Sequence, residues 1–293
     1  MRVDKSMGVD IAVARFSRLS ICFFFATLAA GSQALAQSAI VDYAQSDTAP
    51  EQRASEWTGF FAAGAGYLPE YDGADEYQTI PVVAGQVNKG NYYIASRGLG
   101  VVANIIDSER FNAGPMVRYR FGRDDDIDNA RIARLSEVDD AIEAGGFVSY
   151  ILRDNFRSGD NIEFSISALQ DIAGGHEGFL ADIGASYFTP LTRDFRLGLD
   201  AELQYQSEDY MDSYFSVNAI DSARSGLPTY EAESGFNAAS LGMRGIYSFN
   251  RHWGLFGMLQ YTRLMRDAAD SPIVTQEGDD DQMLGILAVT YRF

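Results

Sequence analysis

The chain has 293 residues, of which 41 are acidic and 23 basic, so that its formal net charge is −18. A chain this acidic is not expected to bind nucleic acid. Mean hydropathy is −0.14, and no run of 18 or more apolar residues follows the first forty, which excludes an ordinary membrane-spanning helix.

Residues 1–36 predict a secretory signal peptide. Arg15 and Arg18 form a basic flank ahead of the apolar core at 19–30. Ala34-Leu35-Ala36 fits the small-x-small rule, which predicts cleavage after Ala36.

The start of translation has two candidates, Met1 and Met7, because the basic flank has a more usual length from Met7. The single cysteine, Cys22, lies within the apolar core. The mature chain would therefore have none, which excludes disulfides and thiol chemistry. Residues 37–55 are polar without a period and predict a flexible periplasmic lead-in.

A period-two alternation then begins and marks residues 56–293 as one barrel domain. In the first segment every second residue is small or apolar and an aromatic stands at each end: Trp57, Gly59, Phe61, Ala63, Ala65 and Tyr67. Alternation of this kind places one set of side chains on each face of a strand.

The same alternation predicts further strands along the chain. They cover residues 77–87, 91–96, 98–106, 111–121, 141–153, 162–168, 179–188, 195–205, 234–249, 253–261 and 283–293. Residues 91–106 are either two strands or one long bent strand. The count is about 12 strands.

The clearest strand runs from Phe195 to Tyr205, with apolar odd positions and polar or charged even ones apart from Gly198. A soluble amphipathic strand has this pattern too. Ten residues tilted by about 40° also rise roughly 25 Å, the height of the apolar band on an outer-membrane barrel. One strand does not separate the two hypotheses.

The lengths of the connections favour the membrane barrel. Those at 88–90, 107–110, 154–159, 189–193 and 250–251 are short, whereas those after the fifth, ninth and eleventh strands are long. Outer-membrane barrels alternate short periplasmic turns with longer external loops. We therefore expect an all-β, transmembrane, antiparallel up-and-down β-barrel, monomeric and in contact with outer-membrane lipid and lipopolysaccharide.

Several motifs resemble the MipA/OmpV family of Gram-negative outer-membrane proteins. They are Pro69-x-Tyr71-x-Gly73, Gly122-Arg123, Tyr210-x-x-Tyr214-Phe215-x-Val217, Ser225-Gly226-Leu227-Pro228-x-Tyr230, Ser271-Pro272-Ile273-Val274 and Tyr291-Arg292-Phe293. The resemblance implies an outer-membrane barrel. It also implies a scaffold role with periplasmic murein-synthesis and murein-hydrolysis enzymes as partners, and other members are linked to envelope stress, adhesion or drug susceptibility.

Charged residues on the inward face of the strands form the first candidate site. They are Arg118, Arg120, Glu143, Glu163, Asp182, Arg196, Asp200, Glu202 and Arg244. They either set the selectivity of a small pore or pair with one another and plug a narrow barrel. Small barrels fill their interiors with side chains and buried charges must pair, so the plug is favoured.

Aromatic residues form two further groups. The mouth loop, within residues 206–232, carries Tyr210, Tyr214, Phe215, Pro228 and Tyr230, which either fold into the mouth or face a partner. Inward packing is favoured, because a surface this aromatic is rarely left solvated. The aromatic girdle is predicted at Trp57, Tyr67, Phe195, Tyr205, Trp253, Tyr261 and Phe293.

The acidic runs 124–128 and 279–281 either gather divalent cations or are solvated loops. The EF-hand pattern fails at Asn129 and Leu135, so no metal or cofactor is predicted. Solvated loops are the favoured interpretation.

The sequence has two histidines, His176 and His252, and we do not expect either to be catalytic. A barrel enzyme would pair a serine with a histidine, and Ser165 and Ser167 precede His176 on a strand. We expect an ordinary loop histidine and no catalytic residues, since no zinc motif, phosphate loop or serine elbow occurs. The favoured function is a non-enzymatic structural or scaffold barrel. The alternatives are a narrow channel for small solutes and, third, a lipid-acting enzyme.

Overall fold

The computed structural model describes residues 57–123 and 127–293. Twelve strands make up most of this part of the chain. They are β1 (Trp57–Pro69), β2 (Tyr77–Lys89), β3 (Tyr92–Arg97), β4 (Gly100–Asn104), β5 (Phe111–Arg120), β6 (Ala141–Arg153), β7 (Asn161–Asp171), β8 (Phe179–Pro190), β9 (Phe195–Gln206), β10 (Gly235–Ser248), β11 (Trp253–Leu264) and β12 (Asp281–Arg292).

The strands close into one barrel in which each pairs antiparallel with its neighbours in the chain and β12 returns to β1. Phe60 lies opposite Arg292 at one end of the closing seam, and Tyr67 lies opposite Gly285 at the other. The closed 12-stranded antiparallel barrel predicted from the sequence is thus confirmed. The open question at 91–106 is resolved as two short strands, β3 and β4.

The two rims of the barrel differ in the length of their connections. We call the rim with the connections after β2, β4, β6, β8 and β10 the turn rim, and the opposite one the loop rim. The turn rim has connections of two to seven residues, whereas on the loop rim β5–β6 and β9–β10 are joined by long segments. Among the described residues no helix has the length and apolar character needed to cross a membrane.

Period two controls which side chains face outward. In β9, Leu199 and Leu203 are exposed while Asp200 and Glu202 are buried inside. Aromatic residues stand outward near both ends of the strands, Trp57, Phe195, Trp253 and Phe293 at the turn rim and Tyr67, Tyr205 and Tyr261 at the loop rim. All seven are exposed or half-buried.

Two of the long connections contain short helices. The connection after β9 holds α1 (Glu208–Phe215) and α2 (Ala219–Ser225), and the connection after β11 holds α3 (Arg266–Asp270) and α4 (Pro272–Glu277). A 3₁₀ turn, Ile132–Arg134, lies between β5 and β6. Strand periodicity does not predict these helices, because helices this short form through tertiary contacts rather than propensity.

The interior is only partly ionic, because apolar side chains also face inward. One side of it is an apolar cluster formed mainly from β1, β2 and β10–β12, which we call the apolar side. Its buried members are Phe60, Ala62, Leu68, Ile80, Ala84, Phe188, Ile246, Phe256, Met258, Leu284 and Ala288, with exposed fractions of 1% to 7%. Val82 and Ile286 pack against them.

Three sequence expectations fall on residues that the structure does not describe. They concern the signal peptide at 1–36, the lead-in at 37–55 and the first acidic run at Asp124, Asp125 and Asp126. They stay predictions.

Candidate functional site

The strongest concentration of buried charge lies inside the loop rim, where β5 meets β6. Arg118 and Arg120 point inward two residues apart, and the register sets Arg118 opposite Glu143. Arg120 Nε donates to Glu143 Oε1 at 2.7 Å, and Arg118 Nε donates to Oε2 of the same carboxylate. Glu143 is 0% exposed, so one carboxylate balances two buried guanidinium groups.

His176 is the third side chain that contacts the Glu143 carboxylate. Its Nε2 lies 3.1 Å from Glu143 Oε1, while its Nδ1 accepts the backbone N–H of Gly178 at 3.0 Å. Because Nδ1 is an acceptor, the proton of a neutral ring sits on Nε2 and is donated to Glu143. The expectation of an ordinary loop histidine is therefore wrong, since His176 is buried, with 2% exposure.

Tyr210 connects the wall to the loops. Its hydroxyl donates to Asp72 Oδ2 at 2.7 Å and accepts from Arg120 Nη1 at 3.1 Å. The Arg120 guanidinium also lies over the Tyr210 ring at 5.2 Å, and the His176 ring meets it edge-on at 5.0 Å. We call Asp72, Arg118, Arg120, Glu143, His176 and Tyr210 the mouth network.

Helix α1 brings Tyr210 into the mouth network and packs against α3 and α4. We call residues 207–234 and 265–280 the mouth cap. Tyr210, Tyr214 and Phe215 are buried, Tyr230 is half-buried and Pro228 is exposed. Arg123 Nη1 donates to the Tyr214 carbonyl at 3.1 Å, and the Ser271 hydroxyl donates to the Phe215 carbonyl at 2.6 Å. These bonds hold α1 against the loop after β5 and against α4.

Local sequence explains how the cap is shaped. The Asn218 side chain accepts the N–H groups of Ile220 and Asp221, which begins α2. Gly226 ends the helix with φ of +77°, a conformation that favours glycine. Burial raises the pKa of the Tyr210 and Tyr214 hydroxyls, so both stay protonated and able to donate at neutral pH.

A second group of charges lies lower in the barrel. Arg244 Nη1 is 2.9 Å from Asp200 Oδ1, and the same oxygen accepts the Ser186 hydroxyl at 2.7 Å. Both charged residues are buried, with 1% and 5% exposure. A lone buried charge would be costly, so the pair and the hydroxyl belong together.

The remaining inward charges are less uniformly placed. Asp182 accepts from the Ser167 hydroxyl at 2.9 Å and from Gln204 Nε2 at 2.8 Å. Glu202 is buried, whereas Glu163 and Arg196 are half-buried. We call the wall from β5 to β10, which carries most of the inward charges, the polar side, although Met116, Phe147 and Leu169 also form part of a buried apolar cluster there.

The serine and histidine arrangement of a hydrolase is not formed by the described residues. Both ring nitrogens of His176 are engaged by Glu143 and Gly178, and the Ser167 hydroxyl is engaged by Asp182. His252 lies at the turn rim, with Nδ1 3.0 Å from the Arg292 carbonyl oxygen.

The acidic run 279–281 is a surface feature. Its three carboxylates lie within 4.8 Å of one another. Asp280 and Asp281 pair with Arg263 at 2.6 and 2.7 Å, which already supplies a counter-charge.

Comparison with known proteins identifies the sequence family. The family model described as MltA-interacting protein MipA matches residues 61–293. The MltA-interacting protein of Escherichia coli K12 is 32% identical over 93 residues, which are 31% of this chain and 35% of that protein. The outer membrane protein OmpV of Vibrio cholerae is 36% identical over 93 residues, 32% of this chain and 34% of that protein. The aligned segment thus spans about a third of these relatives.

Several solved outer-membrane barrels align with most of this chain. The NanC porin has a TM-score of 0.43 at 11% identity, covering 80% of this chain and 100% of that one. The COG4313 outer membrane channel from Pseudomonas putida F1 has a TM-score of 0.42 at 11% identity, covering 81% and 94%.

Proposed function

This chain belongs to the MltA-interacting protein MipA family, and from that premise we propose that it is a non-conducting outer-membrane barrel with a scaffold role. In this proposal the loop rim is external and the turn rim periplasmic, as in other outer-membrane barrels. The turn rim would then dock a periplasmic murein enzyme, in line with the name of the relatives in the family.

The burial of the inward side chains is the observation that carries the proposal. Glu143 and Arg244 on the polar side are 0% and 1% exposed, and Phe60 and Phe256 on the apolar side are 1% and 3% exposed. Side chains that water does not reach are poor pore linings. The paired charges therefore support a plug rather than a selectivity filter.

The charge of the turn rim supports a docking role. Exposed basic residues occur in all five of its connections or beside them: Lys89, Arg110, Arg157, Arg193 and Arg251. The same connections hold four exposed acidic residues, Asp107, Glu109, Asp154 and Asp194, so the rim has a slight excess of exposed basic charge in a chain whose net charge is −18. Such a surface favours an acidic face on a partner, because charge complementarity speeds association and fixes orientation.

We expect reversal of the turn-rim charges, Arg157→Glu with Arg193→Glu and Arg251→Glu, to weaken binding of purified MltA by roughly tenfold or more. Binding is measured by surface plasmon resonance on the full chain in nanodiscs. The matched control reverses three loop-rim arginines, Arg134, Arg224 and Arg263, and should bind like the parent. Equal weakening by both triples, or no binding by the parent, contradicts the proposal.

A narrow channel is the second candidate, favoured by the half-buried Glu163 and Arg196 near the turn rim. In planar bilayers we expect the full chain to give no reproducible conductance steps, because Arg118, Arg120 and Glu143 at the mouth and Asp200 with Arg244 below them are paired and buried. Asp200→Asn and Arg118→Gln test the alternative. Steps in the parent that change in these variants would establish a channel and remove the plug from the proposal.

A lipid-acting enzyme finds the least support. Its histidine would have to be free to accept a proton from a serine, whereas His176 donates to Glu143. The names of the curated relatives describe an interaction and a membrane location rather than a reaction.

A further inference from the structure

The barrel wall is shorter along the membrane normal at β3 and β4 than elsewhere. β3 has six residues and β4 five, whereas β2 beside them has 13 and β5 has 10. A tilted strand of six residues rises only about 15 Å, against an apolar band of about 25 Å. Since this hairpin starts at the turn rim, the missing wall lies in the half of the membrane next to the loop rim.

The upper half of β2 has one unpaired edge among the described residues. β2 pairs with β1 from Tyr77 to Lys89 but with β3 only from Gln86 to Lys89. At Gly85 a side chain replaces the backbone pairing between β2 and β3. The Ser96 hydroxyl accepts the Gly85 N–H at 2.7 Å and donates to the Gly85 carbonyl at 3.0 Å.

In a β-strand the N–H and C=O groups of successive residues point alternately to the two neighbouring strands, and this shows which backbone groups of β2 lie on the unpaired edge. Because Gly85 faces β3, Thr79, Pro81 and Val83 face the same way. Proline has no N–H to leave unpaired and is confined to edges within sheets, so Pro81 fits this position. The N–H groups of Thr79 and Val83 point across the gap.

The far side of the gap is β5. It pairs with β4 over three positions, Met116 to Arg118, and the Tyr119 N–H then donates to the Leu99 carbonyl at 3.3 Å. β5 itself ends one residue later, at Arg120, so the gap lies along β2 above the hairpin, and its far side is the upper end of β5 with the loop that follows it. With β3 and β4 between them, the axes of β2 and β5 are about 14 Å apart at the usual strand spacing.

Apolar surface continues from outside to inside through this gap. Outside, an open groove of about 1080 Å³ runs along β2 to β4, and Val83, Tyr92, Ile94 and Val101 line it. Inside, Ile80, Val82 and Ala84 of the same β2 segment belong to the apolar side. Elsewhere the closed wall separates these two surfaces.

We propose that the gap between β2 and β5 is a lateral opening through which one acyl chain of a membrane lipid reaches the apolar side of the interior. An open sheet edge in pure hydrocarbon is strongly disfavoured, because each unpaired backbone group costs several kcal/mol. A lipid supplies both parts of what this edge lacks. Its chain covers the apolar surface around Val83, and an ester oxygen at the membrane surface accepts the N–H group of Thr79, which is the donor nearer the loop rim.

Tryptophan quenching by brominated phosphatidylcholine tests this opening. Val82→Trp and Ile286→Trp form a matched pair, since both side chains point inward and pack on the same cluster. Ile286 lies in β12, which is paired on both sides. The background carries Trp57→Phe and Trp253→Phe, and Val83→Trp gives the signal of a lipid-facing position.

The expected result is that Val82→Trp loses most of its fluorescence, as Val83→Trp does, while Ile286→Trp loses less, because it lies further from the gap, on the other side of β1. Ile80→Trp and Leu284→Trp are a second inward pair if the first fails to fold, as judged by heat-modifiable mobility. The proposal is overturned if Val82→Trp and Ile80→Trp are both protected from the quencher. It is also overturned if Val82→Trp and Ile286→Trp, or Ile80→Trp and Leu284→Trp, are quenched equally. The lateral opening is independent of the proposed scaffold role, because the quenching experiment does not involve the turn rim.

Discussion

Replacing Glu143 with glutamine is expected to destabilise the barrel by about 3–5 kcal/mol, the usual cost of removing one partner from a buried ion pair. The substitution keeps the volume of the side chain and removes its charge. Arg118 and Arg120 would then be two buried cations facing each other without the carboxylate that both contact. His176 would lose its charged acceptor as well.

The effect is measured as the free energy of unfolding in urea, with the protein in detergent micelles and folding followed by tryptophan fluorescence. Glu137→Gln is the control, because Glu137 is an exposed loop residue and the chemical change is identical. We expect that control to shift stability by less than about 0.5 kcal/mol. Similar stability of the two variants would show that the mouth network contributes little.

Periodicity explains why the barrel was predictable and why its interior was predictable only in part. Alternation in β5 and β6 puts Arg118 and Glu143 on one face before any register is known. In β11 the inward set includes Phe256 and Met258 and the outward set Leu255 and Leu259, so both faces are apolar. A pattern of that kind does not show which face meets lipid.

The loop members of the mouth network carry no periodic signal. Asp72 follows β1 and His176 follows β7, and only tertiary folding brings them to Arg120 and Glu143. The available clue is the glycine content around His176. A Cβ on Gly178 would lie 2.6 Å from the Tyr210 backbone nitrogen, so glycine permits the close approach of α1.

The hairpin formed by β3 and β4 shows a related limit. Strands of six and five residues are too short for alternation to separate two strands from one bent strand. The same shortness creates the gap beside β2. The ambiguous part of the sequence therefore coincides with the part of the wall from which we infer a function, as expected where local rules give way to a special role.

Tyr210→Ala is expected to release the mouth cap while the barrel stays closed. The Tyr210 ring is fully buried and contacts Arg120, His176 and Tyr214, so truncation should cost about 3–5 kcal/mol of cap stability. The strands keep all their backbone pairing. Limited trypsin digestion should therefore cut after Arg224 in α2 much faster than in the parent, with unchanged heat-modifiable mobility.

Tyr210→Phe separates the ring from its hydroxyl. It keeps the packing but leaves Asp72 without the hydrogen bond it accepts at 2.7 Å, so we expect a loss of about 1–3 kcal/mol and an intermediate cutting rate. Cutting of Tyr210→Ala at the parent rate would mean that the cap is held by its other bonds, Arg123 to Tyr214 and Ser271 to Phe215. If the cap opens and no conductance steps appear, the barrel interior is blocked below the cap, at the Asp200–Arg244 pair. That pair does not depend on the loops.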